Sequence, residues 1–126
     1  MVLTGDAHAA MASSMRADVE RFEDSPVVGA EFLCTSITSG GDNPALTARG
    51  RQWLANNPDM TFFDSRRGYS TVAMTPSELT TTYKALDFVT RPDAPLQTVA
   101  AVSVLDGVPG VQGGRITQSA AAVVAA

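Results

Sequence analysis

Cysteine, histidine and basic stretches are what this chain has least of. A single cysteine, Cys34, rules out an internal disulfide within the 126 residues. A single histidine, His8, excludes any site that draws two imidazoles from this chain. Nine basic residues face thirteen acidic ones, for a net charge of −4, and no Lys/Arg-rich run stands out. That balance argues against a nucleic-acid-binding module and against an anionic membrane surface as partner. No apolar run approaches the roughly 20 residues of a membrane-spanning helix. The opening residues, Met1 to Gly5, lack the basic segment and apolar stretch of a secretory signal.

What is present suffices for one globular domain. The chain is 44% hydrophobic and 17% charged, enough apolar side chain to bury a core. Val2-Leu3 reads as the end of a buried strand. Ala9 to Ala17, rich in Ala and Met, reads as a helical turn or short helix. Arg16 to Ser25 is a charged surface segment closed by Pro26, and Val27 to Leu33 is a strand. Ala45 to Asn57 is helical in composition, interrupted by Gly50, ended by Pro58 and anchored by Trp53 and Leu54.

From Met60 onward the pattern is an antiparallel meander of short runs divided by turn residues. Its strands are Met60 to Asp64, Gly68 to Met74, Leu79 to Val89 and Leu96 to Leu105, with Ser65-Arg66-Arg67 as a turn. The last strand is expected to show Thr98, Ala100, Val102 and Val104 on one face. The domain then spans residues 1–107, and 108–126 form a flexible tail rich in Gly and Ala. Cys34, beside Phe32 and Leu33, is expected to be a buried structural thiol, since no base adjoins it.

Three places carry possible chemistry. In Gly5-Asp6-Ala7-His8, an extended segment would point Asp6 and His8 the same way, just beyond a strand end. A carboxylate and an imidazole suit Fe, Mn, Zn or Ca, although two donors do not complete a metal site. The alternative is an ordinary turn with a satisfied histidine. The hydroxyl-rich loop Thr35 to Gly41 could line an anion pocket, with Thr38 its substrate-binding candidate, or could be a polar surface loop. Arg66 and Arg67 offer a bidentate phosphate clamp, with Arg67 the candidate, or are exposed turn arginines.

These residues also carry a resemblance. Val2-Leu3-Thr4-Gly5-Asp6-Ala7-His8-Ala9-Ala10-Met11-Ala12 resembles the last metal-binding motif of the PhoD-type alkaline phosphatases. Glu31-Phe32-Leu33-Cys34-Thr35-Ser36-Ile37-Thr38-Ser39-Gly40-Gly41 is similar to that family's Glu-Phe-x-x-Thr-Ser-Ile segment. Asn57-Pro58, Phe62-Phe63, Arg67-Gly68-Tyr69, Thr75-Pro76 and the run Phe88 to Pro95 follow in the family's order. Several landmarks in one order are more specific than any one of them.

The resemblance implies an α+β fold: the carboxy-terminal part of a four-layer α/β/β/α metallophosphatase sandwich, mostly antiparallel in this chain. It implies hydrolysis of phosphate monoesters and diesters, iron and calcium as cofactors, and Asp6 and His8 as metal ligands. The family's other ligands lie upstream of the Gly-Asp-x-His motif, so the expectation is a fragment that lacks the amino-terminal half of its domain and is inactive alone. The parent enzyme would be exported to the periplasm, cell surface or medium. The competing readings are a non-catalytic β-rich module, a split subunit completed by a partner chain, and a product without function.

Overall fold

Small residues decide how the layers of this protein meet. The computed structural model describes residues 1–116. Its elements are β1 (Val2–Thr4), β2 (Ala10–Arg16), β3 (Val27–Leu33), α1 (Ala48–Asn56), β4 (Met60–Asp64), β5 (Arg67–Met74), β6 (Glu78–Leu86), β7 (Leu96–Leu105) and β8 (Gln112–Ile116). The strands form two four-stranded sheets, ordered β1-β3-β2-β4 and β5-β6-β7-β8. Among the described residues only β1 and β3 pair in parallel; every other pairing there is antiparallel.

The sheets pack face to face through Ala10, Ala12 and Ala30 on one side and Ala85 and Ala100 on the other. Phe62 and Tyr83 fill the space between them, ring centroids 4.8 Å apart. The Tyr83 hydroxyl donates to the Met11 carbonyl at 2.6 Å, tying the second sheet to the first. Burial pushes that phenol above its ordinary pKa, so it remains a donor. On the other face of the first sheet, α1 covers Ala9 and Phe63 with Leu54. Trp53 meets Phe63 edge-on, centroids 5.9 Å apart. The order helix, sheet, sheet supplies three layers of the expected α/β/β/α sandwich among the described residues.

The helix expected at Ala9 to Ala17 is instead the strand β2. Ala and Met favour helix intrinsically, but β2 is paired on both sides, by β3 and by β4. Two ladders and the burial of Ala12 outweigh a propensity difference of a few tenths of a kcal/mol per residue. Gly50, expected to interrupt its helix, lies within α1. A Cβ there would fall 2.3 Å from the Phe63 ring, so glycine lets the helix lie against the sheet.

Five further expectations are corrected. Ser65 to Arg67 is not an exposed turn: Arg66 and Arg67 are 6% and 2% exposed, at the corner where the chain passes from one sheet to the other. Thr98 does not share a face with Ala100, because a register shift between Tyr83 and Lys84 leaves Val99 as an extra residue and buries both Val99 and Ala100. Val2 and Leu3 are exposed, since β1 lies at the edge of its sheet. Gln112–Ile116 pairs with β7, so the second sheet continues past Gly107 into the expected tail. Two glycines and no apolar alternation hide that strand in the sequence; its order comes from its neighbour. The Ala/Val run from Ser119 lies outside the described residues. Cys34 is a half-buried free thiol rather than a fully buried one.

Candidate functional site

Strand direction collects the candidate residues at one end of the first sheet. β1 and β3 run in parallel, and β2 runs against both β3 and β4. The carboxyl ends of β1, β3 and β4 therefore share one edge, the usual place for binding chemistry in sheets with parallel strands. From those ends leave the turn with Asp6 and His8, the loop from Cys34 to Thr47, and the corner Ser65 to Arg67.

The first turn is not extended. Asp6 has φ 77° and His8 φ 52°, both in the left-handed region. The two side chains are therefore presented by a tight turn, not by the period-2 alternation of a strand. Such conformations cost about 1–3 kcal/mol each for residues other than glycine and collect at functional sites. Asp6 and His8 are exposed, and neither side chain has a hydrogen bond or ion pair among the described residues. No third His, Cys, Asp or Glu joins them into a metal-ligating cluster among those residues.

Arg67 holds the turn in place. One terminal nitrogen donates to the His8 carbonyl at 2.6 Å and to the Ser65 carbonyl. The other donates to Ser36 Oγ and the Ser39 carbonyl, each at 2.7 Å. Arg67 thus joins all three segments at the sheet's edge. Its Nε is buried without an acceptor, and burial pulls its pKa below the ordinary arginine value. No carboxylate forms an ion pair with it among the described residues. Arg66 differs: it binds Asp64 at 2.7 Å and Asp87 at 2.9 Å.

The hydroxyl loop is built from its own backbone. Gly41 N–H donates to the Thr38 carbonyl at 3.0 Å, and Gly68 N–H donates to the Ser36 carbonyl at 3.1 Å. Gly40, at φ 89°, sits under both side chains above it; a Cβ there would lie 3.2 Å from Arg67 and 3.4 Å from His8 Nδ1. Farther along, Asp42 accepts from Val89 N–H at 2.6 Å and from the Thr90 hydroxyl at 2.6 Å. Those bonds, the Thr90 hydroxyl foremost, hold the Asp42 carboxyl below the usual carboxylate range. Thr38 is exposed on the loop, with its carbonyl engaged in the turn.

A cleft of 360 Å³ opens between the His8 turn and α1. His8, Asn43, Thr47, Arg49, Trp53 and Arg67 are among its walls, and no carboxylate is. The sequence reading passed over Arg49 and Trp53 as functional residues. Their spacing of four, which stacks two side chains on one helix face, was the available signal. Nothing local in the sequence marks Arg67 as the residue that ties the turn, because its partners at Ser39, Ser36 and His8 lie 28 to 59 positions away along the chain.

The fold and this edge define part of an α/β sandwich whose parallel-strand ends present a strained Gly-Asp-x-His turn. Comparison with known proteins narrows the class. Residues 1–83 match the PhoD-like phosphatase family. The chain is 43% identical over 101 residues to alkaline phosphatase D of Bacillus subtilis (strain 168), covering 80% of this chain and 17% of that protein. A solved structure described as the structure of PhoD superposes with a TM-score of 0.81 at 39% identity, over 94% of this chain and 22% of that one. The chain belongs to the PhoD-like phosphatase family. It spans about a fifth of the length of the relatives it matches. Among the described residues, no helix is long and apolar enough to cross a membrane.

Proposed function

We propose that this chain supplies the Gly-Asp-x-His turn of a metal-dependent phosphatase and phosphodiesterase centre, as the carboxy-terminal part of that domain. The observation that carries the reading is the free pair Asp6 and His8, held in left-handed conformations on a turn anchored by Arg67. Strain at two non-glycine positions of a short turn has no packing benefit here, since both side chains face solvent. A hard carboxylate and a borderline imidazole, without other partners among the described residues, fit a cation such as iron.

On this reading Asp6 contributes a carboxylate oxygen and His8 an imidazole nitrogen to the metal. A bound metal there supplies Lewis-acid polarisation of the phosphoryl group and neutralises charge on the leaving oxygen. Arg67 fixes the His8 backbone, so the imidazole is presented without reorganisation. Gly40 leaves room beside that ring. Two donors fall short of the four or more a metal needs, so the remaining ligands come from polypeptide outside the described residues. Export of the parent enzyme belongs to the same proposal. The comparisons do not favour a non-catalytic β-rich module or a split subunit.

The test is a chimera. This chain replaces the homologous 101-residue stretch of the B. subtilis alkaline phosphatase D. The chimera is expected to bind metal and hydrolyse bis-p-nitrophenyl phosphate. Asp6→Ala and His8→Ala are each expected to lower metal content and kcat together by tenfold or more, on the order of a lost ligand. Full activity with normal metal content in both variants sinks the ligand assignment. The chain alone, supplied with iron and calcium, is expected to be metal-poor and inactive.

A further inference from the structure

The cleft beside His8 has a charge pattern that the chain as a whole lacks. The chain carries a net charge of −4, yet among the described residues the cleft gathers two arginines, Arg49 and Arg67, and no carboxylate. Around them stand neutral groups able to donate hydrogen bonds, the Asn43 amide and the Thr47 hydroxyl. Thr47 Oγ1 already accepts from Gly50 N–H at 3.0 Å, which leaves its own hydrogen to donate. Arg49 is exposed and forms no ion pair among the described residues. Its guanidinium lies 5.9 Å from the centre of the Trp53 ring. Arg67, 2% exposed, keeps an Nε without an acceptor.

We propose that this cleft binds the leaving group of a phosphate ester, and that Arg49 selects esters whose leaving group carries an anionic substituent of its own. The inference rests on the phosphatase reading above, because it places the phosphoryl end at the His8 turn. Trp53 supplies an apolar wall to the alcohol portion, and Asn43 and Thr47 donate to its oxygens. A neutral leaving group would leave the Arg49 charge unused. A carboxylate or second phosphate on the leaving group pairs with Arg49 through a charge-assisted hydrogen bond, stronger than one between neutral groups. The contact is ionic, so it weakens as salt is raised.

Trp53 is the single tryptophan of the chain, so its fluorescence reports on the cleft. The full chain is titrated with 2-phosphoglycolate, an ester with an anionic leaving group, and with ethyl phosphate, which has a neutral one. The expected result is a saturable change in Trp53 emission, with 2-phosphoglycolate bound about tenfold more tightly. Arg49→Gln is expected to erase that preference. Arg51→Gln, an exposed arginine on the same helix outside the cleft, is expected to keep it. No emission change with either ester, equal affinities in the wild-type chain, or a preference that survives Arg49→Gln each overturns the proposal. Failure of the chimera to hydrolyse esters, with the titration behaving as expected, removes the phosphatase reading and leaves an anion-binding cleft. An active chimera whose kcat/KM shows no preference for the anionic leaving group removes the inference and leaves the phosphatase reading.

Discussion

Replacing Arg67 by Met tests whether one buried guanidinium organises the sheet's functional edge. Met has similar length and no charge. Gross bookkeeping would overstate the loss: four charge-assisted hydrogen bonds at about 1.5–3 kcal/mol each would exceed the stability of many domains. Two terms shrink it. Removing the charge returns its desolvation cost, several kcal/mol for a buried ion. Three of the four acceptors, at His8, Ser36 and Ser39, belong to exposed or half-buried residues that water can serve. Only the Ser65 carbonyl belongs to a buried residue. One stranded carbonyl costs about 1–3 kcal/mol, which is the expected global destabilisation.

The local effect should exceed the global one. Without Arg67 the turn at His8 and the loop at Ser36 to Ser39 lose their common anchor. Urea unfolding followed by Trp53 fluorescence measures the first quantity. Hydrogen exchange at the Gly41 and Gly68 amides, whose acceptors are Thr38 and Ser36, measures the second. Exchange there is expected to accelerate by more than the global loss alone allows. Arg67→Lys should recover little, since an ammonium cannot reproduce a planar fork with two ends on four acceptors. Unchanged stability within about 0.5 kcal/mol, with unchanged exchange at both amides, would refute the anchoring role.

Other expectations follow from the same geometry. Gly50→Ala gains up to about 1 kcal/mol of helix propensity but forces a Cβ into Phe63, so a net destabilisation of about 1–2 kcal/mol is expected as a lowered Tm. Asp6→Gly removes a left-handed non-glycine residue and should raise stability by about 0.5–1 kcal/mol in urea unfolding while deleting the proposed ligand, an outcome reversed if the turn is unstrained. Asp42 has a folded-state pKa below its unfolded value near about 3.9, so its contribution is complete above that value and lost as pH falls through the folded one. Asp42→Asn should abolish that acid dependence, and carboxyl NMR titration of Asp42 should show the depressed midpoint. An Asp42 midpoint at or above the ordinary aspartate value would refute the Thr90 and Val89 contacts.

Much of the strand pattern was legible because β6 and the ends of β3, β4 and β7 obey period-2 alternation or carry flanking turn residues. The failures share one cause. Ala9 to Ala17, the bulge at Val99 and the Gly-rich β8 are all set by a neighbouring strand rather than by their own residues. The site divides the same way. Its motif is local, and Gly-Asp-x-His stood out at once. Its geometry is not: positive φ at Asp6 and His8 replaces the extended presentation that spacing alone implied.

That contrast explains why an arginine is buried at position 67, although its Nε has no acceptor among the described residues. The turn carries side chains that face solvent, so no core contact can fix its conformation. Its backbone is reached instead, from the start of β5, by a residue long enough to bridge three segments and rigid enough to aim two pairs of donors. Met at that position would strand the Ser65 carbonyl and leave Asp6 and His8 free to relax from the left-handed region. Arg67 therefore spends its donors on backbone and loop groups, and so preorganises the turn that presents Asp6 and His8.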